Sequence, residues 1–139
     1  MAMDLHNNIK VSRALSPVAA GTDNTPYVSQ ILDTANFAAN ELVIAIGANT
    51  DVNATFTVLL EEGDVSTLTD NAAVADADML GTEVLASFDY GDDNETRKLG
   101  YIGHHRYIRA TITPSGNDSG NIFIAALWIQ AHPHMAPQS

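Results

Sequence analysis

The residues able to do chemistry in this 139-residue chain are five histidines and seventeen acidic residues; there is no cysteine. His104 and His105 are adjacent, and His132 and His134 flank Pro133. Imidazole suits zinc or copper, but such sites need three or four converging ligands. Neighbouring residues on a strand point to opposite faces, so His104 and His105 make poor joint ligands. His132 and His134 share a face only if the proline-containing tail is extended, and no carboxylate is fixed beside either pair by spacing. The acidic stretches Asp76-x-Asp78, and Asp89 with Asp92, Asp93, Asn94 and Glu95, offer the oxygen ligands calcium prefers. Neither places a glycine and a terminal glutamate at the offsets of a helix–loop–helix calcium loop, and Asp and Asn are common in turns for backbone reasons. The sequence contains no Gly-x-Ser-x-Gly and no His-Glu-x-x-His. Gly100 and Gly103 lie between strand-like segments and read as a bend or bulge. The expectation is a protein that is not an enzyme and has no metal or other cofactor.

Charge narrows the partners. Seventeen acidic against six basic residues give a formal charge of −11. Nucleic-acid binding depends on Lys and Arg neutralising phosphates, and anionic membrane surfaces repel an acidic protein. Neither partner is expected. The segment from Arg97 to Arg109 holds four of the six cations and two tyrosines. In so acidic a chain it is expected to form salt bridges with neighbouring acidic loops, or to dock on an acidic protein surface. No apolar run approaches the ~20 residues of a membrane span, and no basic-then-apolar leader opens the chain.

These residues must be positioned by strands, because the apolar period is two. Candidate strands are 8–15, 27–32, 41–46, 55–61, 83–90, 96–102, 107–113 and 121–130. In 55–61, Phe56, Val58 and Leu60 face the core; in 107–113, Ile108, Ala110 and Ile112 do. Hairpins are expected around 47–54 and 114–120. The alanine-rich stretch 70–80 follows the caps Thr67 and Thr69 and reads as a helical turn or ordered loop. The fold expected is all-β: an antiparallel β-sandwich or jelly-roll-like barrel of about eight strands, with at most one short helix and extended termini. Residues 1–8 form an N-terminal arm, 9–131 the sandwich and 132–139 a C-terminal tail whose prolines exclude regular pairing.

Two strands are apolar on both sides. In 122–129, Ile122, Ile124, Ala126 and Trp128 share one face, and Phe123, Ala125, Leu127 and Ile129 the other. Residues 42–46 behave alike. A strand with one wet face should alternate apolar and polar residues, so Phe123, Leu127, Trp128 and Ile129 are the candidate oligomer interface. In the arm, Met3, Leu5 and Ile9 are spaced by even numbers and point one way on an extended chain. With His132, His134 and Met135 of the tail they are the candidate contacts to a neighbour or capsid.

The chain resembles a group of small proteins encoded in tailed phages and prophages near the major capsid gene. The resemblance is carried by Asp4-Leu5-His6-Asn7-Asn8-Ile9-Lys10-Val11, Ile31-Leu32-Asp33-Thr34, Thr55-Phe56-Thr57-Val58-Leu59-Leu60-Glu61-Glu62, residues 97–114, and Ala131-His132-Pro133-His134-Met135-Ala136-Pro137. It implies a virion protein of the head decoration (cement) type on the outer surface of the phage head. Its implied partners are the major capsid protein and itself, as a homotrimer. A head-to-tail connector or tail component is the alternative. A carbohydrate-binding β-sandwich module is the alternative of another class, and would need aromatics clustered on one exposed face.

Overall fold

The period-two alternation builds two antiparallel sheets. In the computed structural model, which describes residues 3–135, the strands are β1 (Ile9–Leu15), β2 (Tyr27–Val28), β3 (Leu32–Asp33), β4 (Phe37–Asn49), β5 (Thr55–Gly63), β6 (Ala72–Ala73), β7 (Met79–Leu80), β8 (Phe88–Asp89), β9 (Thr96–Tyr101), β10 (Tyr107–Ser115) and β11 (Ile122–Pro133). One sheet has the order β1-β11-β4-β9-β7; the other runs β2-β10-β5-β6, with β3 also on β10 and β8 on β5. The sheets stay open, so the architecture is a sandwich and not a barrel. Five of the eleven strands are two residues long and extend the edges of the sheets.

The core lies between the inner faces. Leu42, Ile44 and Ile46 of β4 and Ile122, Ile124, Ala126 and Trp128 of β11 meet Phe56, Val58 and Leu60 of β5 and Ile108, Ala110 and Ile112 of β10. The Phe56 and Phe88 rings stack with centroids 4.9 Å apart. Trp128 is 1% exposed, and its indole Nε1 donates to the Gln30 carbonyl at 3.0 Å. That hydrogen bond makes burial of the ring's polar end affordable.

The turns expected at 47–54 and 114–120 exist but do not make hairpins. Each carries the chain from one sheet to the other: β4 to β5, and β10 to β11. Asp51 ties the two crossings together. Its carboxylate accepts from the backbone amides of Asn53, Asp118 and Ser119 at 3.0, 3.0 and 2.9 Å. Those donors, Ser119 first, hold the Asp51 carboxyl below its ordinary range.

Residues 70–80 hold the helical turn expected there, flanked by two short strands that were not expected. They contain β6, a 3₁₀ turn at Asp76–Asp78 and β7, and buried Val74 donates its amide to the Leu60 carbonyl at 3.0 Å. The helix, α1 (Glu83–Ala86), falls where a strand was expected. Thr82 caps it by accepting from the Leu85 amide. Glu83 Oε1 and Ser87 Oγ then accept from the amides of Leu60 and Val58 at 2.7 and 3.0 Å. These side chains satisfy the edge of β5 in place of a partner strand.

Both termini depart from expectation. β11 runs to Pro133, opposite Phe37, so the first tail proline does not exclude pairing. His132 adopts a left-handed φ of 51°, and the His134 amide carries the contact past the proline to the Asn36 carbonyl at 2.8 Å. In the arm, His6–Asn8 is a 3₁₀ turn. The Asp4 carboxylate stabilises it by accepting from the amide and Nδ2 of Asn7 at 3.0 and 2.7 Å. Met3, Leu5 and Ile9 therefore do not lie on one extended segment. Met1 and Ala2 of the arm and residues 136–139 of the tail lie outside the described residues.

Candidate interaction surface

The outer face of the five-stranded sheet is built by the residues that alternate with the core. Val11 pairs with Ile129, Arg13 with Leu127, and these strands continue through Glu41 and Val43 of β4 to Gly100 and Lys98 of β9. Phe123, Ala125 and Ala45 extend the face towards Gly47. Val11, Phe123 and Leu127 are 51, 47 and 43% exposed, a concentration of large apolar groups that burial would favour by ~25 cal/mol per Å². Beneath Phe123 a depression of about 230 Å³ is lined by Pro17, Ala45, Gly47 and Ala125. On the other side a recess of about 280 Å³ lies among Ala39, Glu41, Leu80, Ile102 and Ile129.

One carboxylate interrupts this face. Glu41 lies over Gly100, where an added Cβ would come within 2.6 Å of its Oε2. Gly100 lies within β9 in regular register, not in a bend or bulge, and a side chain there would have to displace the Glu41 carboxylate. Burial pushes the Glu41 carboxyl above its ordinary range, with Lys98 opposing the shift. The face carries Arg13, Lys98 and Glu41, in a molecule whose formal charge is −11.

The sequence-designated residues separate here. Phe123, Leu127 and Ile129 are on the outer face. Trp128 is not: it fills the core and is unavailable to a partner. The alternation of β11 dictates this, since Trp128 shares its face with Ile124 and Ala126. Val43, within the segment 42–46 already read as apolar on both sides, belongs to the same surface; Val11 and Glu41 do too and were missed. Val11 and Val43 carry the period-two signal; what was missing is the pairing of β1 and β4 with β11, which a single sequence does not reveal.

Met3, Leu5, Ile9 and His132 come together. With Asp4, Asn8, Ala131 and Pro133 they line a cleft of about 410 Å³ at one end of this sheet. Met3 and Leu5 are 90 and 66% exposed. His134 and Met135 are also exposed, on the tail beyond β11.

The basic stretch is mostly engaged in ion pairs. Arg97 meets Asp92 at 3.0 Å and Glu95 at 2.6 Å. Arg106 makes a bidentate pair with Asp33, both contacts 2.9 Å, which holds the Asp33 carboxyl low. Arg109 meets Glu61 at 3.1 Å. His105 Nδ1 lies 3.0 Å from Asp64 Oδ2, and that carboxylate raises its pKa. His104 is exposed. Tyr101 Oη donates to Glu62 at 2.7 Å, and burial pushes its pKa up. Among the described residues, no three of His, Asp and Glu gather as a metal would need.

Fold and surface together define an open antiparallel β-sandwich with one apolar outer face. No protein-family model matches the chain, and no curated protein matches its sequence. Among solved structures it is similar to the SPBc2 prophage-derived protein YomS, at 12% identity and a TM-score of 0.49, over 95% of this chain and 99% of that one. It is also similar to the xylan-binding module CBM15, at 10% identity and 0.43, over 96% of each chain. The N-terminal CBM22-1–GH10 modules of Clostridium thermocellum endo-1,4-beta-D-xylanase 10B match at 15% and 0.44, over 78% of this chain and 19% of that one. At these values the likeness is one of general sandwich shape.

Proposed function

We propose that this chain is a structural virion protein, a decoration (cement) protein that binds the outer surface of a tailed-phage head and reinforces contacts between major capsid subunits. It acts as a homo-oligomer, without catalysis or cofactor. The observation that carries the reading is the apolar outer face of the five-stranded sheet, bordered by the terminal cleft. The resemblance of the sequence to proteins encoded beside capsid genes supplies the partner. An apolar sheet face of this kind is covered in a working assembly. The acidic remainder of the surface suits a position outside the shell, away from packaged DNA.

Copy number on purified heads tests the role. A decoration protein is present on the order of hundreds of copies per particle, following shell symmetry; about a dozen or fewer would assign the connector alternative instead. Removing residues 2–8 is expected to leave the melting temperature in place and to weaken head binding, because the described arm residues are exposed. The carbohydrate-binding alternative is poorly served: Trp128, Phe56 and Phe88 are buried, leaving Phe123 and Tyr90 as exposed aromatics on separate elements.

A further inference from the structure

The five-stranded sheet ends on β1, a strand with a partner on one side. Which of its backbone groups are free follows from alternation along antiparallel ladders. The Ile46 amide donates to the Glu95 carbonyl at 2.9 Å, so Ile46, and with it Ile44 and Leu42, faces β9. Ala45, Val43 and Glu41 then face β11, where they meet Ala125, Leu127 and Ile129. Trp128 and Gln130 must face β1, and they meet Ser12 and Lys10. Ile9, Val11 and Arg13 therefore point their N–H and C=O groups away from the sheet. Such an edge is a template for another strand.

The segment preceding this edge complements it. Written outward from Asn7, the chain reads His6 and Asn8, Leu5 and Ile9, Asp4 and Lys10, Met3 and Val11. Polar residues match polar, apolar match apolar, and an anion matches a cation. We propose that residues 3–11 of two copies pair antiparallel about a two-fold axis at Asn7, joining two five-stranded sheets into one.

The register meets every requirement the edge sets. Odd-numbered residues carry the outward backbone groups, so Met3 with Val11, Leu5 with Ile9 and Asn7 with its copy form the hydrogen-bonded pairs. Their side chains lie on the outer face, so Met3, Leu5, Ile9 and Val11 of both copies lengthen the apolar surface that already holds Ile129. Asp4 meets Lys10 twice, once on each side of the axis. A two-fold contact uses the same surface on both partners, which this near-palindrome supplies. Residues 3–13 carry Asp4, Lys10 and Arg13, a cationic strip on an acidic protein, so the contact avoids the general repulsion between copies. The 3₁₀ turn at His6–Asn8 must open. Its Asp4–Asn7 hydrogen bonds are exposed, so water replaces them at little cost. The resulting unit is a pair, where the family resemblance implies a trimer. It stands independently of the capsid reading: failure to bind heads leaves the pair untouched, and absence of the pair leaves head binding open.

The test is self-association of the full chain by analytical ultracentrifugation. A concentration-dependent dimer is expected. Asp4→Lys and Lys10→Asp should each weaken it roughly tenfold, since each turns two opposite-charge contacts into like-charge ones. The double variant should recover the wild-type affinity. At concentrations where each protein is monomeric, melting temperatures should stay close to wild type, because both side chains are exposed and only the Asp4–Asn7 hydrogen bonds are lost. A wild-type chain that stays monomeric or forms trimers overturns the proposal, as does a double variant no better than the singles. Register is tested by mixing Met3→Cys protein with Val11→Cys protein, in a chain without native cysteine. Mixed disulfides should exceed those between Met3→Cys and a remote Val84→Cys; equal yields overturn the register.

Discussion

On the outer face of the five-stranded sheet, Val11, Val43, Leu127 and Ile129 lie side by side. On the outer face of the other sheet the corresponding positions are Thr57, Leu59, Glu61, Arg109, Thr111 and Thr113, with Val28 alongside Thr111; polar side chains surround the two exposed apolar ones, and Arg109 and Glu61 pair at 3.1 Å. Both sheets bury an apolar inner side, so folding stability does not require the difference. A sheet face left to water alternates with polar residues, as the second sheet does. On the function proposed above, the first sheet is the surface that an assembly covers. Burial also raises the pKa of the lone carboxylate on that face, Glu41.

Adjacent residues on β11 give the sharpest separation of folding from assembly. Trp128→Ala should destabilise the domain by about 3–5 kcal/mol, the usual cost of emptying an aromatic core site. Leu127→Ala should change stability by no more than about 0.5 kcal/mol, as surface substitutions do, yet weaken attachment to heads. Denaturant melts together with a head-binding assay check both halves. If Trp128→Ala were mild, the sandwich core described here would be wrong.

Acid reads the clamp between the sheets. The folded pKa of Asp51 is depressed, so its contribution is present above the ordinary carboxylate value of 3.8 and is lost as pH falls through the lower folded value. Asp51→Asn should be less stable than wild type at neutral pH, and the gap should close in strong acid. Thermal melts across that range would show it. A gap that persists unchanged would mean the carboxylate charge is not what ties the crossings together.

The smallest effect belongs to Glu41. A raised folded pKa means the penalty appears as pH rises through that value and is absent below the unfolded one. Glu41→Gln should therefore raise the melting temperature slightly at pH 7 and not at all in acid. An equal gain at both would point to packing and not charge.

Much of this was legible in the sequence. The alternation of Phe56, Val58 and Leu60 against Thr55 and Thr57 placed β5 and its core face, and Ile108, Ala110 and Ile112 did so for β10. The apolar outer side of residues 122–129 was visible too. The crossings at residues 50–54 and 116–121 were not, because turn residues such as Asp51 mark a reversal without saying which sheet receives the next strand. Residues 83–90 were only partly a strand: Val84, Ala86, Phe88 and Tyr90 alternate with Glu83, Ser87 and Asp89, but only Phe88–Asp89 pairs, as β8, and Val84 is exposed. The rest of the segment is set instead by Glu83 and Ser87, which bond to the edge of β5. Trp128 was assigned outward because both sides of its strand are apolar, and only the pairing with β1 and β4 decides which side is inside.

The central claim is that the apolar face of the five-stranded sheet, and not the polar face opposite, meets the assembly. Two matched variants test it in one measurement: Leu127→Lys on the first face and Thr113→Lys on the second, each added to undecorated heads and scored by bound copies per particle. Both side chains are exposed, so both proteins should fold. The account predicts that Leu127→Lys loses most of its binding while Thr113→Lys decorates as wild type does. Full binding by Leu127→Lys, or loss confined to Thr113→Lys, would contradict it.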